Sequence, residues 1–391
     1  MKLNLFHNSS QGVLCSVIAL IIIGSINIFS ASYVSAQLEF GSSMMFYLKQ
    51  LGAAVFGGVI MFLMSKFDYR RTQNWGLIIG GVSIILLILT AAFGLTEGGA
   101  KRWIKLGIIF QPSEIAKIAA VYLAAGYLGT QLKFGNPISF FNKEFVLIVV
   151  MGGLVYKQPD LGTAAIIIGI GVLLFGIAGL TKRQYRCLAA VVGASVIYFS
   201  MAASYRMARI QSWLDPWQYA GAEGYQAVQA QMTIGAGGLT GMGWGSGMSK
   251  FYYLPEAHTD FAFAMFCQEW GFIGTLLFII LPFAIFTQQG IRIAIQTDDR
   301  YGKLLAFGLT LLISGQAIAN MMMVMGVLPV IGVPLPFISY GGTSLAINMA
   351  CVGVLLNIGR QNQKKRKRIR AGEENKQPVN LKLVSPEADE R

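Results

Sequence analysis

Apolar runs of about twenty residues recur along almost the whole chain, and that recurrence limits the available folds more than any single motif. A helix crossing a bilayer needs roughly 20 apolar residues, and inside hydrocarbon its backbone groups must be satisfied within the segment. The candidate spans are Gly12–Ser32, Gln50–Ser65, Gly76–Leu95, Pro112–Gly129, Phe145–Tyr156, Leu161–Leu180, Cys187–Ala203, Asp260–Thr287, Leu304–Leu328 and Pro336–Gly359. Phe145–Tyr156 is the shortest. Only 13% of residues are charged, against about 25% in soluble domains. The expected fold is therefore an all-α polytopic membrane protein of about ten transmembrane helices. Residues 1–360 would form the bundle, 204–259 one large extracytoplasmic loop, and 361–391 a basic, then polar and disordered, cytoplasmic tail.

An even number of spans places both termini on one side. The positive-inside rule selects that side. Lys66, Arg70, Arg71, Lys182, Arg183, Arg186, Arg292, Arg300, Lys303 and the tail run Lys364–Arg370 then all face the cytoplasm. The loop Leu328–Leu335, on the opposite side, carries no charge. A net charge of +13 does not imply nucleic acid here, because juxtamembrane cations anchor topology and meet anionic lipid. The run from Gly12 leads into further spans and is read as an uncleaved first helix. Cys15, Cys187, Cys267 and Cys351 show no Cys-x-x-Cys spacing, so neither a disulfide framework nor a zinc site is expected.

Polar residues converge where the even-numbered helices begin. The fourth opens Gln111-Pro112-Ser113-Glu114 with Lys117 following, and the sixth opens Gln158-Pro159-Asp160. The eighth opens at Asp260, just after Glu256 and His258. The tenth opens Pro336-Phe337-Ile338-Ser339-Tyr340-Gly341-Gly342-Thr343-Ser344. Proline suits a first turn, where its missing N–H goes unused. Glu114 and Lys117, three apart on one helical face, form either an ion pair that permits charge at that depth or a direct substrate contact. Asp160 either caps its helix or meets substrate. Ser339 and Ser344 line a cavity or belong to tight helix packing. Asp260, where an aqueous loop meets a bilayer helix, is placed to be partly desolvated yet reachable, as a general base requires. The loop Thr96–Gln111 holds Lys101, Arg102 and Lys105 against the positive-inside trend. Cations kept there beside helix N-termini suit an anionic ligand such as a pyrophosphate.

These stretches resemble the SEDS family of bacterial cell-wall proteins, FtsW, RodA and SpoVE. The resemblance rests on Ala100–Gly107, Gln111–Lys117, Gln158–Thr163, Gly224-Tyr225-Gln226, Leu254–Phe261 and Pro334–Ser344, in the family's order. It implies a ten-helix peptidoglycan glycosyltransferase in the bacterial cytoplasmic membrane that polymerises lipid II at the outer face. Asp260 matches the family's essential carboxylate. Residues matching Arg102, Glu114 and Lys117 support activity or shape the cavity. The implied partners are lipid II and the growing glycan strand, a class B penicillin-binding protein that supplies transpeptidation, and other divisome or elongasome membrane proteins. No cofactor is required by the motifs. A divalent cation, Mg or Mn, is the one the chemistry leaves room for, with no ligand set visible in the sequence.

Ala262, Gln268 and Thr343 depart from residues common in the family, and none of the three is a proposed reacting group. Glu256-Ala257-His258 and Trp213–Trp217 look like division-type FtsW and sporulation-type SpoVE, while Leu328–Pro336 looks like elongation-type RodA. The balance favours FtsW. The competing readings are a lipid II flippase, which needs polar groups through the bilayer depth, and a division scaffold, which leaves the Asp260 junction unexplained.

Overall fold

In the computed structural model, which describes residues 8–97, 100–106, 108–188, 190, 204–251 and 254–374, eight helices are long and apolar enough to cross a membrane. The helices are α1 (Ser9–Phe40), α2 (Met45–Lys66), α3 (Trp75–Phe93), α4 (Pro112–Phe134), α5 (Lys143–Lys157) and α6 (Leu161–Gly179). They continue with α7 (Ser204–Leu214), α8 (Tyr225–Gly237), α9 (Ala262–Thr275), α10 (Leu281–Gln296), α11 (Arg300–Val324) and α12 (Gly342–Glu374). A π-turn at Leu276–Ile280 joins α9 and α10 into one span, Ala262–Gln296. The chain is a multi-pass α-helical membrane protein.

The fifth expected span is helical, but at 15 residues and 1.5 Å per residue it falls short of a bilayer core of roughly 30 Å. Most of the seventh expected span, Cys187–Ala203, lies outside the described residues.

Burial orders the bundle. The spans of α4, α11 and α12 are 61%, 67% and 72% buried, so these three form the centre. Those of α2 and α3 are 17% and 28% buried and present apolar side chains such as Phe56, Phe62 and Ile78 outward. The centre of α4 is rich in alanine. Ala116, Ala119, Ala120, Ala124 and Ala125 are all buried, and such small side chains let neighbouring backbones approach closely. Pro112 occupies its first turn and Gly135 ends it in the left-handed conformation, the usual asymmetry of helix ends.

Two features differ from the expected helical bundle with a disordered tail from residue 361. The segment between α3 and α4 folds as a three-stranded antiparallel sheet, β1 (Leu95–Glu97), β2 (Ala100–Leu106) and β3 (Ile108–Phe110). Helix α12, in turn, runs on through the basic cluster to Glu374. The tenth span also starts later than its proline suggested. Pro336–Ser339 forms a turn in which Ser339 N–H donates to Leu335 O at 2.9 Å, and the helix begins at Gly342.

The glycine-rich stretch after α8 folds against a break in α9. Gly271 has φ 66° and ψ −172°, which an L side chain does not readily adopt. The backbone groups freed by the break are met by the loop: Met242 N–H donates to Gln268 O at 3.0 Å and Gly243 N–H to Glu269 O at 3.1 Å. In return, Phe272 N–H donates to Gly238 O at 2.9 Å. Gly241 lies so close that a Cβ there would sit 2.2 Å from Glu269 O. Irregular backbone within a membrane bundle is tolerated only when protein satisfies it in this way.

Candidate functional site

The starts of α6, α9 and α12 and the small sheet meet at one end of the bundle: Arg102 of β2 reaches the turn before α6, and Tyr340 N–H, just before α12, donates to His258 O, just before α9, at 2.9 Å. Strand β2 decides which of its cations joins them. The β1–β2 register slips at Arg102, between Lys101 opposite Thr96 and Trp103 opposite Leu95, and such a bulge re-aims the side chain it carries. Arg102 is half-buried and reaches the turn before α6. Its Nε donates to Gln158 O at 3.3 Å and a terminal nitrogen donates to Pro159 O. Lys105 is exposed, opposite Ile109 of β3. The structure therefore brings Arg102 into the cluster and leaves Lys105 outside it.

Asp160, 3% exposed, is the N-cap of α6, its Oδ1 accepting from Thr163 N–H at 3.0 Å. Satisfying one of the free N–H groups of a helix start is what a cap does. Burial pushes its carboxyl above the usual range, and Arg102 opposes that shift. The capping reading and the electrostatic one thus hold together.

Asp260 closes a turn that begins at Glu256, whose φ of 54° lies in the left-handed region. Phe261 N–H donates to Glu256 O at 3.2 Å, and the helix starts at Ala262. Asn320 of α11 then anchors the turn. Its amide nitrogen donates to Asp260 O at 2.8 Å and to Val333 O at 2.7 Å. This draws Gly332 (φ 64°) up to the carboxylate, so that a methyl at that position would stand 3.4 Å from Asp260 Oδ2. Asp260 keeps part of its surface open although protein surrounds most of it. Desolvation, followed by the charges of Glu256 and Asp160, pushes its carboxyl up to about 7, with Arg102 pulling the other way. A carboxylate poised near neutrality and still reachable can take up a proton.

Below this level lies a second polar layer. Lys117 Nζ is 2.8 Å from Glu114 Oε1 and donates to Gln316 Oε1 at 2.6 Å. Gln316 Nε2 in turn donates to Pro334 O at 2.9 Å. All three side chains are buried. Glu114 and Lys117 thus form the ion pair that one of their two readings anticipated, and through Gln316 they brace the 331–335 segment that carries Gly332.

The remaining expected site residues are spread around this core. Glu256 is exposed, and its carboxylate accepts from the Thr259 hydroxyl at 2.5 Å. The His258 ring packs 4.7 Å from Phe46 and 5.8 Å from Tyr340, centroid to centroid. Burial lowers its pKa, which favours the neutral ring. Ser339 Oγ accepts from Leu335 N–H at 2.9 Å and so serves its own turn. Ser344 Oγ accepts from Asn348 Nδ2 at 3.3 Å.

Sequence reasoning missed Gln316 and Asn320. Their signal was there: two amides at i and i+4 in an apolar span share a face, and polar groups within membrane helices rarely lack a role. It also missed Lys250 and Glu269, 3.4 Å apart and buried. Glu269 Oε1 also accepts from the Ser30 hydroxyl at 2.5 Å, tying α9 to α1. Among the described residues, no three His, Cys, Asp or Glu side chains are grouped to hold a metal ion.

Buried carboxylates and cations gathered at one end of a bundle of membrane-crossing helices define a polytopic membrane protein with a polar site at the helix starts. More narrowly, the chain belongs to the cell cycle protein family of FtsW, RodA and SpoVE, whose profile matches residues 11–364. It is 37% identical over 351 residues to a probable peptidoglycan glycosyltransferase FtsW of Geobacter sp. (strain M18), covering 88% of this chain and 95% of that one. It is 36% identical over 364 residues to stage V sporulation protein E of Bacillus subtilis (strain 168), covering 91% and 98%. A solved structure described as the structural coordination of polymerization and crosslinking by a peptidoglycan synthase complex superposes with a TM-score of 0.74 at 26% identity. It covers 90% of this chain and 98% of that one. These relatives agree with the lean towards FtsW.

Proposed function

We propose that this chain is a peptidoglycan glycosyltransferase of cell division or elongation, polymerising lipid II into β-1,4-linked glycan. The acceptor sugar's 4-hydroxyl oxygen attacks the donor's anomeric carbon. The bond from that carbon to the pyrophosphate breaks, and its electron pair leaves with undecaprenyl pyrophosphate. Asp260 takes the hydroxyl proton, and attack from the face opposite the leaving group inverts the anomeric centre. Arg102 offsets charge growing on the departing pyrophosphate while holding the Gln158–Pro159 turn. Glu114, Lys117 and Gln316 act through the 331–335 segment and keep Asp260 in place.

The observation that carries this reading is the setting of Asp260: partly open, its carboxyl raised to about 7, with the Arg102 charge acting on it. A bacterial cytoplasmic membrane with both termini in the cytoplasm puts the site at the outer face, where the extracytoplasmic loop 204–259 covers it and residues 361–391 lie inside. The resemblance to a peptidoglycan synthase complex supports a class B penicillin-binding protein as partner, beside other divisome or elongasome proteins.

The test is gel analysis of glycan formed from labelled lipid II by purified protein, with and without its transpeptidase. Asp260→Asn is expected to remain in the membrane and form no polymer. Retained polymerisation by that variant would remove the base assignment. Absence of polymer from the parental protein with its partner would remove the enzyme.

A further inference from the structure

The Gly224-Tyr225-Gln226 motif has no part in the chemistry at Asp260, yet its Tyr225 and Gln226 line a separate cavity of about 310 Å³. We propose that this cavity is a saccharide subsite that holds one N-acetylhexosamine ring of the glycan; this rests on the glycosyltransferase reading above.

Its lining is that of a sugar site. Trp213 and Tyr225 supply aromatic surface, Gln226 and Gln231 supply amides, and Glu223 supplies a carboxylate. A pyranose offers an apolar C–H face that packs on an aromatic ring, and adjacent hydroxyls that pair with side-chain amides. Among the described residues that line the cavity, none is a lysine or arginine. That separates it from the end of the site that holds Arg102. The volume is at the small end of ligand pockets, which suits a single ring and excludes a whole disaccharide with its peptide.

The aromatic platform is pre-set. The Trp213 indole N–H donates to Gly326 O at 3.0 Å, which fixes the ring to the 326–330 segment. Gly326, with φ 81°, leaves room for the Gln231 amide, since a Cβ at 326 would lie 2.2 Å from Gln231 Nε2.

Two walls lead to Asp260. Pro255 opens the turn that ends at the carboxylate. Val330 lies two residues from Gly332, which stands against Asp260 Oδ2. The cavity and the reacting position thus share two backbone segments, 255–260 and 330–332.

The ring could belong to the growing strand or to the incoming lipid-linked disaccharide, and the test separates them. Full-length protein carrying Asp260→Asn, which blocks turnover, is titrated with a soluble tetrasaccharide of alternating N-acetylglucosamine and N-acetylmuramic acid, and separately with lipid II. Trp213→Ala and Gln226→Leu are each introduced into that background. Each is expected to weaken binding about tenfold, the scale of one lost aromatic contact. Weakening towards the tetrasaccharide assigns the ring to the growing strand, and weakening towards lipid II alone assigns it to the precursor. Gln226→Leu decides the matter if Trp213→Ala does not fold. Unchanged binding of both ligands by the folded variants, or no binding of either by the Asp260→Asn protein, overturns the subsite. Because binding is read without turnover, that result is independent of whether Asp260 is the base.

Discussion

Asn320 holds Asp260 by its backbone: one amide nitrogen lies 2.8 Å from the Asp260 carbonyl oxygen and 2.7 Å from that of Val333. The side chain is fully buried. Replacing it with leucine removes both donors and leaves two carbonyls unpaired, at about 1–3 kcal/mol for each. Asn320→Leu is therefore expected to lower the melting temperature and to reduce polymerisation. Asn320→Gln, which keeps the amide on a longer stem, should recover more activity than the leucine variant. Thermal unfolding and the lipid II gel assay, run side by side, check both parts.

The pH profile follows from the setting of Asp260. Its carboxyl is raised to about 7, so below that pH the group is protonated and cannot accept the sugar's proton. Turnover should rise with pH through about 7. Arg102 lowers this pKa, so removing its charge lets the pKa climb, and the rising limb for Arg102→Gln should move to higher pH. An initial-rate profile with both proteins tests the sign. A limb that stays put would mean that Arg102 does not act on the Asp260 carboxylate.

A bulge in β2 separates two cations that the sequence treats alike. Arg102 reaches the Gln158–Pro159 turn, whereas Lys105 is exposed opposite Ile109 of β3. Arg102→Ala should cut kcat sharply, while Lys105→Ala should leave it near the parental value. Equal losses would show that the two act together.

The Lys117–Glu114 pair is buried at 2.8 Å. Breaking such a pair from one side strands a charge and costs about 3–5 kcal/mol, while replacing both partners costs far less. Lys117→Met alone should therefore destabilise the protein strongly. The double variant Glu114→Gln/Lys117→Met should recover much of the loss, as measured by thermal unfolding in a double-mutant cycle.

A parallel case is Lys250 with Glu269, where the cap loop meets the broken helix. Lys250→Met leaves Glu269 buried with only the Ser30 hydroxyl on Oε1. It should loosen the glycine-rich loop, which faster proteolysis between residues 238 and 250 would reveal. An unchanged cleavage rate would show that the backbone clamp at Gly271 suffices.

Much of this protein could be read along the chain. Runs of apolar residues mark the spans because the bilayer imposes its thickness on each helix separately, and Pro112 and Asp160 mark helix starts because first-turn and capping preferences are a local matter. Tertiary structure decided the rest. It divided Arg102 from Lys105 by folding their loop into a sheet. It joined Asn320 to Asp260 across sixty residues and used the glycine loop to complete a helix broken at Gly271. Hydropathy and caps depend on neighbours in sequence, whereas these hydrogen bonds depend on which backbones the packed helices bring within three ångströms of each other, and no local pattern encodes that.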